Sequence, residues 1–395
     1  MLRSLYSGIS GLRSHQTMLD VTGNNIANVN TVGFKSSAVQ FQDTLSQVVK
    51  NGTGAQVEAG GTNPAQVGLG VQVAAISTNF AQGSSQATGK GTDLMISGDG
   101  FFLVQSGAET LYTRNGAFDF DKLGRLVTAD GSFVQGRTAV NGQIPVGAAV
   151  GNITLPLQAT IPAKVTTTAD VGGNLPNEVA NGTVLSREVS VFDAAGGETK
   201  LNLTFTKTAT GWDVGDGVTP SGSLEFANGV LTGATVGGVA GNPAAFVVGG
   251  VTMDLSKVTG FANLTTIAVN SQNGAKAGTL TGYTISGDGT VLGSFSNGET
   301  RTIAQIALVT FANPGGLEKA GGSTYRGSAN SGNAVLGAAG APGFGQLAGG
   351  YLEMSNVDLS QEFTNLIVAQ RGFQANARII TTSDEVLQEL TNLKR

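Results

Sequence analysis

The chain has 395 residues and a formal net charge of −5, and only 12% of its residues are charged, about half the usual share. A mildly acidic chain with no basic block excludes nucleic acid as a partner. The absence of cysteine excludes a thiol nucleophile, a disulfide framework and a thiolate metal site. The length allows two or three domains with a sizeable core, and 60 glycines favour β structure with many tight turns over a helical enzyme.

The chain opens on MLRSLYSGISGLRSHQTMLDVTG, in which Leu2, Leu5, Ile9, Leu12 and Leu19 recur at three- and four-residue steps, broken only by Gln16. That spacing predicts a helix with a coiled-coil-like seam. Gly8 and Gly11 weaken it by up to about 1 kcal/mol each relative to Ala. The start lacks the apolar core and small-residue cleavage site of a secretory signal. No run approaches the ~20 apolar residues of a membrane span. The expectation is a chain that stays in the cytosol or leaves by a route that cleaves no signal. GNNIANVNTVGFK follows, dense in Asn and Gly, and suits Asx-turns and positive φ angles. On residue type alone it is a loop.

From Ser36 to Asn63 the pattern is mixed, with a short helix expected through Phe41 to Val49. GVQVAAISTNF then alternates as a strand, and DLMISGDGFFLVQ gives two strands about a Gly98-Asp99-Gly100 bend. Asn115-Gly116 and Asp130-Gly131 are hairpin signals, so 71–143 forms one β unit. The texture loosens from Ile144 to about Thr300. VLSREVSVF and ETKLNLTFTK predict two long strands about an Ala194–Gly197 turn, and strands are expected near Ser223–Leu231, Ala245–Met253 and Thr279–Ser286. This is the spacing of an inserted β-barrel or sandwich. A strand over Ile303–Phe311 ends at Asn313-Pro314-Gly315-Gly316, and the run from Gly321 to Gly350 is too poor in apolar residues to build its own core. The last helix carries Leu359, Phe363, Leu366, Gln370, Phe373, Ala377, Ile380, Asp384 and Leu387 in strict four–three alternation, extended by Leu390 and Leu393. Asp358 or Ser360 is placed to cap it.

The sequence therefore predicts a mainly β protein with terminal α-helices that pair as a coiled-coil-like inner domain (1–35 and 351–395). A connecting region (36–70 and 321–350), a discontinuous β domain (71–143 and 300–320) and an inserted outer β-barrel or sandwich (144–299) complete it.

Catalytic chemistry finds no footing. His15 is the sole histidine, so neither a Ser–His–Asp triad nor a zinc site can be built on it. GSSQATGKGT has five residues between the glycines where a phosphate loop needs four, and Gly91 stands where a hydroxyl is required. DFDKLGRLVTAD places acids like a calcium loop, but Leu123 and Asp130 occupy ligand positions wrongly and the flanks read as strand. No catalytic, cofactor-binding or metal-ligating residue is expected, and the chain does not read as an enzyme.

GNNIANVNTVGFKS (23–36) and SNVDLSQEFTNLIVAQRGFQANARIITTSDEVLQEL (355–390) resemble the N- and C-terminal signatures of the axial proteins of the bacterial flagellum, the rod and hook family. ISTNFAQGSSQATGKGTDLMISGDGFFLV and YTRNGAFDFDKLGRLVTADGSFVQG resemble its shared β region. Together these stretches cover a little under half of the chain, and 144–299 carries no matching motif. The large inserted middle favours the hook members over the rod members, although MLRSLYSGISGLRSHQ also resembles distal-rod proteins.

The resemblance implies a structural subunit that polymerises into a hollow, curved helical tube, a universal joint between rod and filament on the cell exterior. It implies no cofactor, and export through the flagellar type III apparatus without a cleaved signal. The implied partners are further copies of the chain, the distal rod protein, the hook cap protein and the hook–filament junction protein. Leu2, Leu5, Ile9, Leu12, Leu19, Leu359, Phe363, Leu366, Phe373, Ala377, Ile380 and Leu387 then become an assembly seam. Asn24, Asn25, Asn28, Asn30, Thr31, Gly33, Phe34 and Lys35 become the joint between helices and β layers. An isolated helix of this length is marginal in water, so the termini are expected to fold on polymerisation. The rival class is a secreted β-rich adhesin that uses the helices as anchors.

Overall fold

The computed structural model describes residues 2–54, 60–145, 147–156 and 160–392, with the backbone alone at Leu2. The Leu2 side chain, Leu393 and the outermost ends of the predicted inner domain therefore lie outside the described residues. Helices α1 (Leu2–Ala27) and α2 (Leu359–Asn392) stand at the two ends, and between them the regular structure is almost all short strands. The chain is mainly β with terminal helices that contact each other, as the patterning predicts. It divides into two compact units, one of Met1–Leu155, Thr284–Leu292 and Thr302–Arg395, the other of Pro156–Tyr283 and Gly293–Arg301.

In the first unit α1 packs on both α2 and a β ribbon. Strands β1 (Ser37–Asp43) and β4 (Val71–Thr78) pair antiparallel, as do β2 (Ser46–Lys50) and β3 (Ala65–Gly68). The short helix expected through Phe41 to Val49 does not form. The β-branched pair Val48-Val49 suits an extended chain, and residues 65–78 supply backbone partners that no local pattern announces. The ribbon is fixed to α1 by the Ser10 hydroxyl, which accepts from the Val71 amide at 3.2 Å, and by Phe41 beside the His15 ring at 5.8 Å.

The same unit holds a sheet built on Phe101–Ser106, which forms a hairpin with Glu109–Thr113 and pairs with Phe133–Thr138 and Thr300–Thr310. Phe101, Leu103, Val309, Phe311 and Tyr325 make its core. Asp130-Gly131 turns a hairpin as expected, with Gly131 at φ 80°. Asn115-Gly116 does not. Glu109–Thr113 pairs back onto Phe101–Ser106, and Gly116 lies so close to the Leu94 carbonyl that any side chain would collide with it. The Gly-rich run adds strands to the large sheet, Thr324–Arg326 on Glu109–Thr113 and Val335–Ala338 on Thr300–Thr310, and its Gln346–Gly349 makes a two-stranded sheet with Leu94–Ser97. Backbone pairing needs no large side chain, so a run without a core of its own is still held in place.

The second unit is a sandwich. A six-stranded meander begins with the hairpin Val184–Phe192 and Glu198–Lys207, which sits almost where the alternation puts it. A four-stranded sheet faces it, with Thr168–Asn174 parallel to Val251–Thr259 at its centre. Phe205, Trp212, Leu224, Phe246, Met253 and Leu255 from the two sheets share one core. Two strands expected to be continuous are hairpins instead. Ser223–Leu231 is cut by Asn228-Gly229, and Ala245–Met253 by Gly249-Gly250, all four residues at positive φ, the backbone of tight two-residue turns. Leu224 lies opposite Trp212 and both are buried. Leu224→Ala should destabilise this unit by about 2–5 kcal/mol, visible in urea titrations followed by the fluorescence of Trp212, the sole tryptophan.

Candidate functional site

The chain leaves α1 through a run of local bonds. The Asn24 carbonyl accepts from the Asn28 amide at 3.2 Å and from the Asn28 side chain at 2.9 Å, and Asn28 Oδ1 accepts from the Thr31 hydroxyl at 3.0 Å. Gly33 follows at φ 67°, its amide donating to the Glu353 carbonyl at 2.8 Å. A Cβ there would stand 2.5 Å from the Asn115 nitrogen, so both backbone angle and space require glycine. Phe34 packs beneath the Lys319 ammonium, 5.1 Å from its ring centre. Asn30 is exposed.

Lys35 then turns inward and is fully buried. Its Nζ donates to Glu353 Oε1 at 2.6 Å and to the Ala81 carbonyl at 2.8 Å. The same carboxylate oxygen accepts from the Gly83 amide at 2.9 Å, and Oε2 lies 3.5 Å from Arg114 Nη1. Glu353 has no solvent exposure and Arg114 only 4%. Burial pushes Lys35 and Arg114 below their ordinary pKa values, and the Glu353 charge opposes that shift in each. Burial also drives the neighbouring Tyr325 hydroxyl well above the usual phenol range. Asn356 closes the knot, accepting from the Ser36 amide at 2.9 Å and donating to the carbonyls of Asn79 and Ala81.

The helices run antiparallel, because Gly8 meets Ile380, Gly11 meets Asn376, His15 meets Gly372 and Asn25 meets Glu362. A Cβ on Gly11 would lie 2.6 Å from Asn376 Oδ1, and one on Gly372 would lie 2.5 Å from the His15 ring. Asp358 rather than Ser360 caps α2, its Oδ1 accepting from the Ser360 amide at 2.8 Å. Leu5, Ile9, Leu12, Leu19, Leu366, Phe373, Ala377, Ile380 and Leu387 are half-buried, while Leu359 and Phe363 are exposed. Ile380 of these sits directly against a helix-contact glycine, Gly8.

Arg114, Asn356 and Glu362 lie inside stretches that resemble the family, but no spacing singles them out, and Glu353 lies just outside those stretches. The one available signal was a charge standing alone among Gly, Asn and aromatic residues, as in YTRNG and YLEMSN. Among the described residues no three His, Asp or Glu side chains group as metal ligands. In the 119–130 loop Asp121 Oδ1 accepts from the amides of Leu123 and Arg125, and Phe118–Phe120 pairs with Leu126–Thr128 as a hairpin.

Removing one partner of a buried charge pair strands the other, which costs about 3–5 kcal/mol, whereas an exposed pair is worth about 0–1 kcal/mol. Glu353→Ala should therefore lower thermal stability of the first unit strongly. Glu188→Ala, which breaks the exposed 2.7 Å pair with Lys200, should leave melting almost unchanged.

Comparison with known proteins covers all three parts of the knot. Residues 5–35 match the family described as flagella basal body rod protein, 95–172 the flagellar hook protein FlgE/F/G D1 domain, and 348–393 the flagellar basal body rod FlgEFG protein C-terminal region. Lys35, Arg114 and Glu353 fall one in each. The chain is 39% identical over 442 residues to flagellar hook protein FlgE of Borreliella burgdorferi, with 100% of both chains covered. It is 39% identical over 417 residues to flagellar hook protein FlgE of Escherichia coli K12, with 98% of each covered. It is also 36% identical over 396 residues to flagellar basal-body rod protein FlgG of Bacillus subtilis, with 100% of each covered. Matched from end to end at these identities, the chain belongs to the flagellar hook and basal-body rod protein family.

Proposed function

We propose that this protein is the structural subunit of the flagellar hook, self-polymerising into a hollow, curved helical tube that serves as a universal joint between rod and filament. The observation that carries this reading is the apolar face that α2 leaves uncovered: Leu359, Phe363, Ile367 and Val368 are 39%, 51%, 50% and 54% exposed. With about half of each side chain still in water, full burial would recover about 0.7–1.5 kcal/mol each, and neighbouring copies supply that burial. The seam residues Leu2 to Leu19 and Leu359 to Leu387 supply that assembly surface, and Asn24 to Lys35 the joint behind it. Such an interface is heterologous and does not close, so it generates an open helical polymer.

The ends 1–35 and 351–395 act as the inner domain, 71–143 with 300–320 as the β layer outside it, and 144–299 as the outermost layer. The protein is not an enzyme. It leaves the cell through the flagellar type III apparatus without signal cleavage and meets the distal rod, hook cap and hook–filament junction proteins. The similarity to a rod protein supports a second reading as a distal rod subunit. Loss of the gene separates the two: a rod without a hook fits the first, no rod at all the second.

Electron microscopy of the full-length protein should show filaments, and a variant lacking 1–70 and 351–395 should remain monomeric; monomers from both would overturn the proposal. Phe363→Ser should raise the critical concentration for polymerisation several-fold, up to about tenfold, as the lost burial implies, without shifting the urea midpoint of the second unit.

A further inference from the structure

Asn25 is the polar side chain most completely enclosed where α1, α2 and β1 meet, at 2% exposure. Its Nδ2 donates to the Ser37 carbonyl at 2.8 Å and to Glu362 Oε1 at 3.1 Å, and its Oδ1 accepts from the Ser37 amide at 3.0 Å. One amide thus satisfies both backbone groups at the head of β1 and grips the first turn of α2. Two of the bonds hold Asn25 to Ser37 on β1, and the third reaches Glu362 on α2, so a slip of α2 breaks the bond to Glu362 while the hold on β1 remains.

Elsewhere along the contact Gly8, Gly11 and Gly372 lie against Ile380, Asn376 and His15. Buried polar groups fix register in paired helices when a slipped alignment leaves them unsatisfied. We propose that Asn25 is a positioning residue that sets the register of α1 against α2 and ties that register to the β ribbon. The inference concerns contacts within one chain and does not depend on the hook reading.

The cysteine-free chain allows a direct test by disulfide trapping in the full-length protein, under the conditions in which it polymerises. The pair Gly11→Cys with Asn376→Cys reports the native register, since these positions touch. The pair Gly11→Cys with Ile380→Cys reports a slip of one turn, about 5.4 Å, which places the native arrangement outside disulfide reach. With Asn25 present, only the first pair should cross-link. Asn25→Asp places oxygens against the Ser37 carbonyl and Glu362, and should at least halve the native cross-link while the slipped one appears. Adding Glu362→Gln, which turns that acceptor into a donor, should restore part of the native yield. A general loss of structure would lower both pairs, and no restoration would follow. Native-only cross-linking in Asn25→Asp overturns the proposal, as does loss of both pairs without rescue. Failure of the native pair to form with Asn25 intact would overturn the helix alignment itself.

Discussion

The contact between Lys35 and Glu353 joins residues 318 positions apart and places both charges wholly out of water. An ion taken from water into the interior costs several kcal/mol after relaxation, and this carboxylate meets that cost by collecting three partners. Lys35 comes from the N-terminal end, Arg114 and the Gly83 amide from the β region, and Glu353 itself from the C-terminal end. If one segment is misplaced, charge is stranded in the others. The knot is therefore a weak source of net stability and a strong source of specificity. It makes the strand leading into α2, the loop leaving α1 and the sheet correct together or not at all. Gly33 and Asn356 extend the same condition to the backbone around it.

Beyond the knot, α1 and α2 approach closely where Gly8, Gly11 and Gly372 lie, while α2 leaves Phe363, Ile367 and Val368 about half exposed. Apolar surface left in water is hydrophobic free energy that contact with a further surface would release. The β ribbon likewise leaves Leu45 and Val49 well exposed. The second unit does the opposite, closing Trp212, Phe205 and Phe246 into a core of its own.

The amino-acid sequence by itself determined the terminal helices, the β character of the middle and the long hairpin of the sandwich, whereas the loop expected from Gly23 begins only after Ala27, because α1 takes in Gly23–Ala27. Each of those three features is written in a window of a few residues: 3.5- or 2-residue periodicity, a capping Asp358, a turn pair such as Asp130-Gly131. Lys35 was visible as part of the joint, but its partners Glu353 and Arg114 were not. The strand identity of 41–49 was missed for the same reason, as was the use of Gly116 as a crossing point rather than a turn. Only the tertiary structure decided these, because a buried charge, a strand partner and a backbone crossing are properties of pairs. The second member of each pair lies tens to hundreds of residues away, where periodicity carries no information about it.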